Sequence, residues 1–515
     1  MDLLNALVAG FGEILTPTTL AYALVGCIIG MLTGVIPGFG PAAACSLLLP
    51  ITFALDPVGG IIMLLGIYYG SMYGGTITSV LLNVPGEVAS VVTCIDGYQM
   101  TKQGRAGKAL AIAAVGSFAG GVIALVGMLG ATSLAEAAIT LGPVELFGLT
   151  ILALTIVVGL AGRSMVKALI SALLGLFIGM VGLDPVFGDA RFTMGTIALT
   201  GGISFIAVVM GLFGVAEILE STLRRNTLSL PSRVGSLHLN RRDLRESAGA
   251  IGRGSVIGFF FGLIPGSPAA AATFASYVTE RRFAKHPERF GKGAIQGVAG
   301  PETANNALGI SSMIPLLSFG IPASPTMAII LGAFLIQGLQ PGPLLFRDRP
   351  EVAWTIIAGL FVANVMLLIL SLPLVRLWVS VLRIPYQILY PITLAFMMIG
   401  AYTVNNSIVD IAIMWVAGLV GFVMRRLEVP LAPAALTIIL GPMIEANFRT
   451  AMSLTSGDSL GLFRSPLTNV CLVLTVAVFA LRAYLGYRRS RAIARGGQKK
   501  PALDDPSTHT VGSSR

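Results

Sequence analysis

An apolar run broken by Pro-Gly occurs twice in this chain. Residues 30–45 read GMLTGVIPGFGPAAAC and residues 258–272 read GFFFGLIPGSPAAAA. Gly30, Gly34, Pro37 and Gly38 match Gly258, Gly262, Pro265 and Gly266 at a constant offset of 228, and a one-residue gap brings Pro41 opposite Pro268. Proline inside an apolar helix leaves backbone carbonyls and amides unpaired. Lipid cannot satisfy such groups, so each break must face protein or a wet cavity. Paired breaks in corresponding halves point to a binding site near the membrane midplane.

The surroundings require a bilayer. The chain has 515 residues, 55% hydrophobic and 11% charged. Windows such as Val144–Gly162, Trp354–Val375 and Leu467–Leu485 are apolar enough to span as helices. The expected fold is all-α and polytopic: roughly twelve transmembrane or re-entrant segments at ~20 residues each, in two inverted repeats with Pro-Gly-broken hairpins. The net charge of +10 is concentrated in two segments. Residues 224–253 carry seven Arg against Asp243 and Glu246, and residues 482–515 carry eight Lys or Arg against Asp504 and Asp505. These read as cytoplasmic loops rather than a nucleic-acid surface. Cys27, Cys45, Cys94 and Cys471 form no CxxC, so neither a zinc site nor a disulfide framework is expected. The first basic residue is Lys102, so no basic n-region of a cleavable signal is expected.

Loop charge sets an orientation. Spans 109–132 and 144–162 separate Lys102–Lys108 from Arg163–Lys167, and spans 166–182 and 195–215 lead to the Arg-rich segment, placing all three basic loops in the cytoplasm. Counting back from a cytoplasmic C-terminus through spans 467–485, 432–448, 386–402 and 352–374 starts the last of these outside, although its counterpart 109–132 starts inside. The repeats are therefore expected to be inverted. Residues 20–54 form one hairpin and 256–282 the other. The expected organisation is a first membrane repeat (1–223), a basic cytoplasmic linker (224–253), a second repeat (254–487) and a basic, disordered cytoplasmic tail (488–515).

After each hairpin comes a polar, glycine-rich stretch: GIYYGSMYGGTITSVLLNVPGE (66–87) and GPETANNALGISSMIPLLSFGIPASP (300–325). Intramembrane polar groups are expensive unless they serve a site. Ser71, Thr76, Thr78, Ser79, Asn83, Ser267, Asn305, Asn306, Ser311 and Ser312 supply hydroxyls and amides. Broken helices present amide ends that favour carboxylates, and freed carbonyls suit Na⁺. No Lys or Arg occurs between Gly293 and Phe346. An anion there would rest on amides, dipoles and co-bound cations. Glu302 has three competing readings: cation or proton coupling, capping of a helix begun at Pro301, or an interfacial position. Asp410 and Glu145 read as first-turn helix carboxylates. Glu87 and Asp96 read as loop residues near the membrane edge. Gly30-xxx-Gly34 and Gly258-xxx-Gly262 also fit plain helix packing. Tyr68, Tyr69 and Tyr73 fit packing as well as substrate contact.

Six stretches together carry a family resemblance: GVIPGFGP (34–41), YYGSMYGGTITSVLLNVPGE (68–87), DGYQM (96–100), FGKGAIQGVAGPETANNA (290–307), GIPAS (320–324) and GLQPGP (338–343). The chain resembles the large membrane subunit (TctA-type) of the tripartite tricarboxylate transporters over nearly its whole length. The resemblance implies a secondary importer in the bacterial inner membrane. It implies a small four-helix membrane subunit, a periplasmic solute-binding protein, a tricarboxylate or related carboxylate such as citrate, and cation symport, Na⁺ or else H⁺, with no other cofactor. The matched loops place Gly38, Gly40, Pro41, Gly74, Gly75, Thr76, Asn83, Pro85, Gly86, Pro265, Gly266, Asn305, Asn306 and Pro322 in the expected site. Ser79, Ser267, Ser311 and Ser324 join them as substrate-binding candidates. Glu302 and Asn305 are the expected cation-coupling pair, and Na⁺ is expected near Gly38, Thr76, Gly266 and Asn306. Ala323 and Ser267 depart from the family pattern where glycine is expected, removing backbone freedom locally.

Other functions fit less well. An intramembrane hydrolase needs an embedded base such as histidine, and His238, His286 and His509 all sit in polar stretches. No GxxxxGK[ST] loop supports ATP-driven transport. A passive anion channel, a stand-alone carboxylate carrier and a non-transporting scaffold are the rivals that remain.

Overall fold

The computed structural model describes residues 3–36, 39–161, 164–184, 188–223, 234–381 and 386–496. Pro37, Gly38, residues 224–233 of the expected linker and residues 497–515 of the tail lie outside them.

The first half consists of α1 (Leu3–Ile14), α2 (Pro17–Gly34), α3 (Pro41–Thr52), α4 (Pro57–Leu82), α5 (Val91–Lys102), α6 (Ala106–Met128), α7 (Ala131–Ile139), α8 (Pro143–Leu160) and α9 (Met165–Gly179). A two-residue hairpin pairs Gly182 with Arg191, after which α10 (Phe205–Val209) runs through a π-helical turn, Met210–Val215, into α11 (Ala216–Leu223). The second half holds α12 (Arg241–Gly262), α13 (Ala269–Phe283), α14 (Gln296–Ser311), α15 (Met313–Phe319), α16 (Pro325–Ile336), α17 (Pro343–Asp348), α18 (Pro350–Ser371), α19 (Val375–Val381), α20 (Tyr386–Asn405), α21 (Ile408–Arg426), α22 (Leu431–Leu454) and α23 (Pro466–Gly496). Eight helices among the described residues are long and apolar enough to cross a membrane, and five shorter apolar helices accompany them. The protein is an all-α, polytopic membrane protein.

Local chemistry explains the boundaries. Proline opens α2, α3, α4, α8 and α16, where its missing N–H is no loss. The polar stretches end alike. Asn83 (φ 57°) and Gly320 (φ 71°) take the left-handed conformation after α4 and α15, and a proline follows two residues later at Pro85 and Pro322. Two expectations need correction. The linker region is helical from Arg241, because Asn240 accepts from the Asp243 N–H while Asp243 accepts from the Asn240 N–H. Span 195–215 starts late: residues 195–204 hold only a 3₁₀ turn at Ile197–Leu199, with Gly195 and Gly202 at positive φ, and α-helix begins at Phe205.

Apolar burial drives little association between helices in lipid, so close packing must do the work. Two seams do this. Gly26, Gly30 and Gly34 of α2 lie on the backbone of Met63, Ile67 and Ser71 of α4, and Gly66, Gly70 and Gly74 of α4 return the contact. A Cβ on Gly66 would stand 2.9 Å from the Ala23 carbonyl oxygen. In the second half Gly254, Gly258 and Gly262 of α12 lie on Gly300, Ala304 and Leu308 of α14. α4 also packs on α18, α14 on α6, and α5 bridges α4 and α14. A second group joins α8, α9, α22 and α23, with α21 against the π-helical turn. Helices α3 and α16 touch both groups.

Candidate functional site

Between the groups lies a cavity of about 930 Å³. Its wall contains the starts of four helices: Gly40–Ala43 of α3, Gly266–Ala269 of α13, Ala323–Thr326 of α16 and Val429–Ala432 of α22. Their amides are not equally free. Ser324 accepts from the Met327 N–H at the start of α16, and Ser171 accepts from the Ala434 N–H in α22. Gly40 and Pro268, the residues ahead of α3 and α13, have no side-chain acceptor. In α3 the amides of Ala42 and Ala43 precede the first intrahelical bond, from Ala44 N–H to the Gly40 carbonyl at 3.0 Å. The two helices that follow the duplicated Pro-Gly breaks thus bring uncapped N-termini to one cavity, an arrangement that favours an anion. Gly266 N–H donates to the Ala323 carbonyl at 2.8 Å, tying the second break to the start of α16.

The polar side chains converge behind and beside these ends. After α4 the chain doubles back so that Gly86 lies on Gly75; a Cβ on Gly86 would meet the Gly75 backbone. This brings Glu87 to the cavity wall, where Asn305 Nδ2 donates to Glu87 Oε1 at 2.6 Å. Ser90 Oγ accepts from the Glu87 N–H and from Ser79 Oγ, the latter at 2.9 Å. Thr273 Oγ1 of α13 donates to the Ala89 carbonyl. One turn from Asn305, buried Glu302 accepts from Thr76 Oγ1 at 2.7 Å and from Thr93. Asn306 Nδ2 donates to Ser117 Oγ at 2.6 Å. The amide oxygens of Asn305 and Asn306 are buried without a hydrogen-bond partner, an unusual condition for such groups.

Of the expected residues, Gly40, Pro41, Gly86, Gly266, Ser267, Asn305 and Ser324 line the cavity. Thr76 and Glu302 sit behind the wall. Gly74 and Gly75 are packing surfaces for α2 and for Gly86, and Asn83 is the left-handed cap of α4. Ser311 touches Gly262 in the α12 seam. Pro322 belongs to the turn before α16, and Gly38 lies outside the described residues. Ser71, Thr78, Ser311 and Ser312 return their hydroxyls to carbonyls three residues back. Tyr68 reaches the cavity, while Tyr69 and Tyr73 are buried in the core. Glu145 and Asp410 occupy the first turns of α8 and α21 as expected, bonded to Gly142 N–H and Asn405 Nδ2.

The capping reading of Glu302 is wrong: α14 starts at Gln296 and passes through Pro301. Pro301 stands past the first turn, whose N–H groups have no intrahelical partner, so it removes one i→i−4 bond inside the helix. Asp96 is also no loop residue. It lies in α5, wholly buried, and accepts from Tyr277 Oη (2.8 Å), Gly293 N (2.7 Å) and Ala294 N (2.8 Å). Thr93 and Ser117 were not expected in the site, being lone hydroxyls on helices with no local signal. Among the described residues no group of three or more His, Cys, Asp or Glu is placed to hold a metal. The oxygens present are carboxylate, amide and hydroxyl, the donors an alkali cation accepts.

Fold and site define a polytopic helical membrane protein whose interrupted helices and polar side chains meet at one large cavity. Comparison with known proteins narrows this. The model of the tripartite tricarboxylate transporter TctA family matches residues 20–436. The chain belongs to that family and is a tricarboxylate transporter component; the family is one of transporters, not of enzymes. It is 44% identical over 493 residues, covering 95% of this chain and 98% of the relative, to the "Uncharacterized 52.8 kDa protein in TAR-I ttuC' 3'region" of Agrobacterium vitis. It is 45% identical over 210 residues, 41% of this chain and 87% of the relative, to the "Uncharacterized protein in TAR-II ttuC' 3'region" of the same organism. No solved structure matches it.

Proposed function

We propose that this chain is the translocating subunit of a binding-protein-dependent secondary importer that carries tricarboxylates or related carboxylates by symport with a cation, Na⁺ in the first place. The observation that carries the reading is the pair of uncapped N-termini, α3 and α13, meeting at one cavity beside Asn305. Those amides suit a carboxylate without lysine or arginine. The equivalent glycine seams and the crossed pairs α4–α18 and α14–α6 support two repeats related by inversion. The cavity wall also includes Leu160, Ala161, Ser221 and Arg425. The basic loops favour the cytoplasmic side for these helix ends, which supports an inward-facing reading in an inner membrane with the C-terminus inside.

The partners proposed are a small four-helix membrane subunit and a periplasmic solute-binding protein. The test is uptake of a carboxylate panel into proteoliposomes holding the chain and its small subunit, with and without the binding protein and an inward sodium gradient. Uptake that needs both supports the reading. Non-saturable flux independent of any gradient favours a passive anion channel, and uptake without the binding protein a stand-alone carrier.

A further inference from the structure

The cavity proposed for an anion has carboxylates on its own wall. Glu87 faces it beside the ends of α3 and α13, and Glu217, Glu220 and Glu428 line its other side. Arg425 is the basic wall residue among those described, and it already pairs with Glu217 and Glu220. Helix ends contribute only partial charges. A carboxylate at α3 and α13 therefore meets a like charge at Glu87, and among the described wall residues no basic group other than the paired Arg425 offsets it. Glu302 is differently placed. It stands behind the wall, and each of its oxygens already accepts a hydroxyl, from Thr76 and from Thr93. Glu87 Oε1 is bonded to Asn305, whose own amide oxygen is buried and unpartnered although Asn305 lines the cavity. A carboxylate next to an unsatisfied amide oxygen is an oxygen-donor pair that lacks a positive charge.

We infer that Glu87, rather than Glu302, couples cation to substrate: an alkali cation held by the Glu87 carboxylate and the Asn305 amide oxygen completes the wall to which the carboxylate substrate binds. This rests on the carboxylate reading above. The cation is cargo, loaded with the substrate and released with it. Without it the anion is repelled. With it, the helix ends and the cation act together. Glu302 then serves to hold α4, α5 and α14 in register behind the site.

The test is carboxylate binding to the full chain in nanodiscs, with citrate, succinate and benzoate as probes, in sodium chloride against choline chloride at equal ionic strength. Two unit charges about 5 Å apart at an effective dielectric near 20 change affinity by on the order of 100-fold. Sodium should tighten wild-type binding by about that factor. In Glu87→Gln, which keeps an oxygen for Asn305 Nδ2, the sodium ratio should fall to within about threefold of one, through tighter binding in choline. Glu302→Gln should keep the wild-type ratio. A wild-type ratio in Glu87→Gln, or its loss in Glu302→Gln alone, overturns the assignment. Should Glu87→Gln not fold, Glu87→Asp reports instead. Withdrawing the charge by one methylene should raise the half-saturating sodium concentration at least about threefold, and an unchanged value overturns the assignment. Absence of carboxylate binding by the wild type in every salt removes the functional reading, not this site. Sodium alone must then still raise the melting temperature of wild type and not that of Glu87→Gln, and equal shifts refute the cation site.

Discussion

Removing the Asp96 side chain should loosen the start of the helix that carries Glu302 and Asn305. Asp96 is fully buried on α5 and receives three donors: Tyr277 Oη, Gly293 N and Ala294 N. It lies directly over Gly297 in the first turn of α14, where a Cβ would collide with the carboxylate. Asp96→Ala strands all three donors. An unsatisfied buried donor costs about 1–3 kcal/mol, so three cost ~3–9 kcal/mol, with the loss towards the lower end if water fills the space. Asp96→Asn keeps an oxygen for both backbone amides and turns its NH₂ toward the phenol, which can accept. The remaining deficit is the difference between charged and neutral hydrogen bonds, about 1–2 kcal/mol. Unfolding in mixed micelles, followed by tryptophan fluorescence, measures the free energies. Amide exchange at Gly293 and Ala294 localises the effect, with protection lost in the alanine variant and retained in the asparagine variant. If Asn is as damaging as Ala, or both lie within about 0.5 kcal/mol of wild type, Asp96 is not the clamp described here.

Four further outcomes follow from the same structure. Gly30→Ala and Gly258→Ala place a methyl on the backbone of Ile67 and Ala304; each should cost about 1–3 kcal/mol, whereas Gly12→Ala, with nothing within 4 Å, should leave the melting temperature unchanged. Arg253 makes a two-pronged pair with buried Glu280, at 2.7 and 2.6 Å, linking α12 to α13. Because Arg253 is 41% exposed, water offsets part of the lost pair; Arg253→Met should cost about 1–3 kcal/mol and Arg253→Met with Glu280→Leu less, which denaturant titration of the single and double variants resolves. Thr76→Val combined with Thr93→Val removes both donors to Glu302 and should lower carboxylate uptake more than either change alone. Asn305→Leu should abolish uptake at normal expression, and full uptake would remove Asn305 from the site.

Membrane spans, breaks and hairpins were legible in the sequence because each is a local property. Apolar length, proline and glycine act on the residues beside them. The helices at 106–128, 143–160, 165–179 and 350–371 fall within a few residues of the expected spans. The site was legible only in part. Gly40, Pro41, Gly86, Gly266, Ser267, Asn305 and Ser324 meet at the cavity, but Thr76, Ser79 and Asn306 turn to neighbouring elements and Ser311 to its own helix. A hydroxyl on a buried helix bonds whatever packs opposite, and one sequence does not reveal that neighbour. Glu87 shows the same limit. Its surroundings read as a loop until the approach of Gly86 to Gly75 brings it against Asn305.

By itself, the sequence determined that the chain must live in a bilayer, that two similar apolar runs are each broken by Pro-Gly, and that polar groups follow each break. These follow from the cost of unpaired backbone in lipid, which depends on composition and order alone. Tertiary structure decided which amide ends stay uncapped, which of the carboxylates Glu87 and Glu302 faces the cavity, and which glycines are packing surfaces. Each of these depends on the residue that lies across the helix interface, often more than 200 positions away along the chain, as with Thr76 and Glu302 or Glu87 and Asn305.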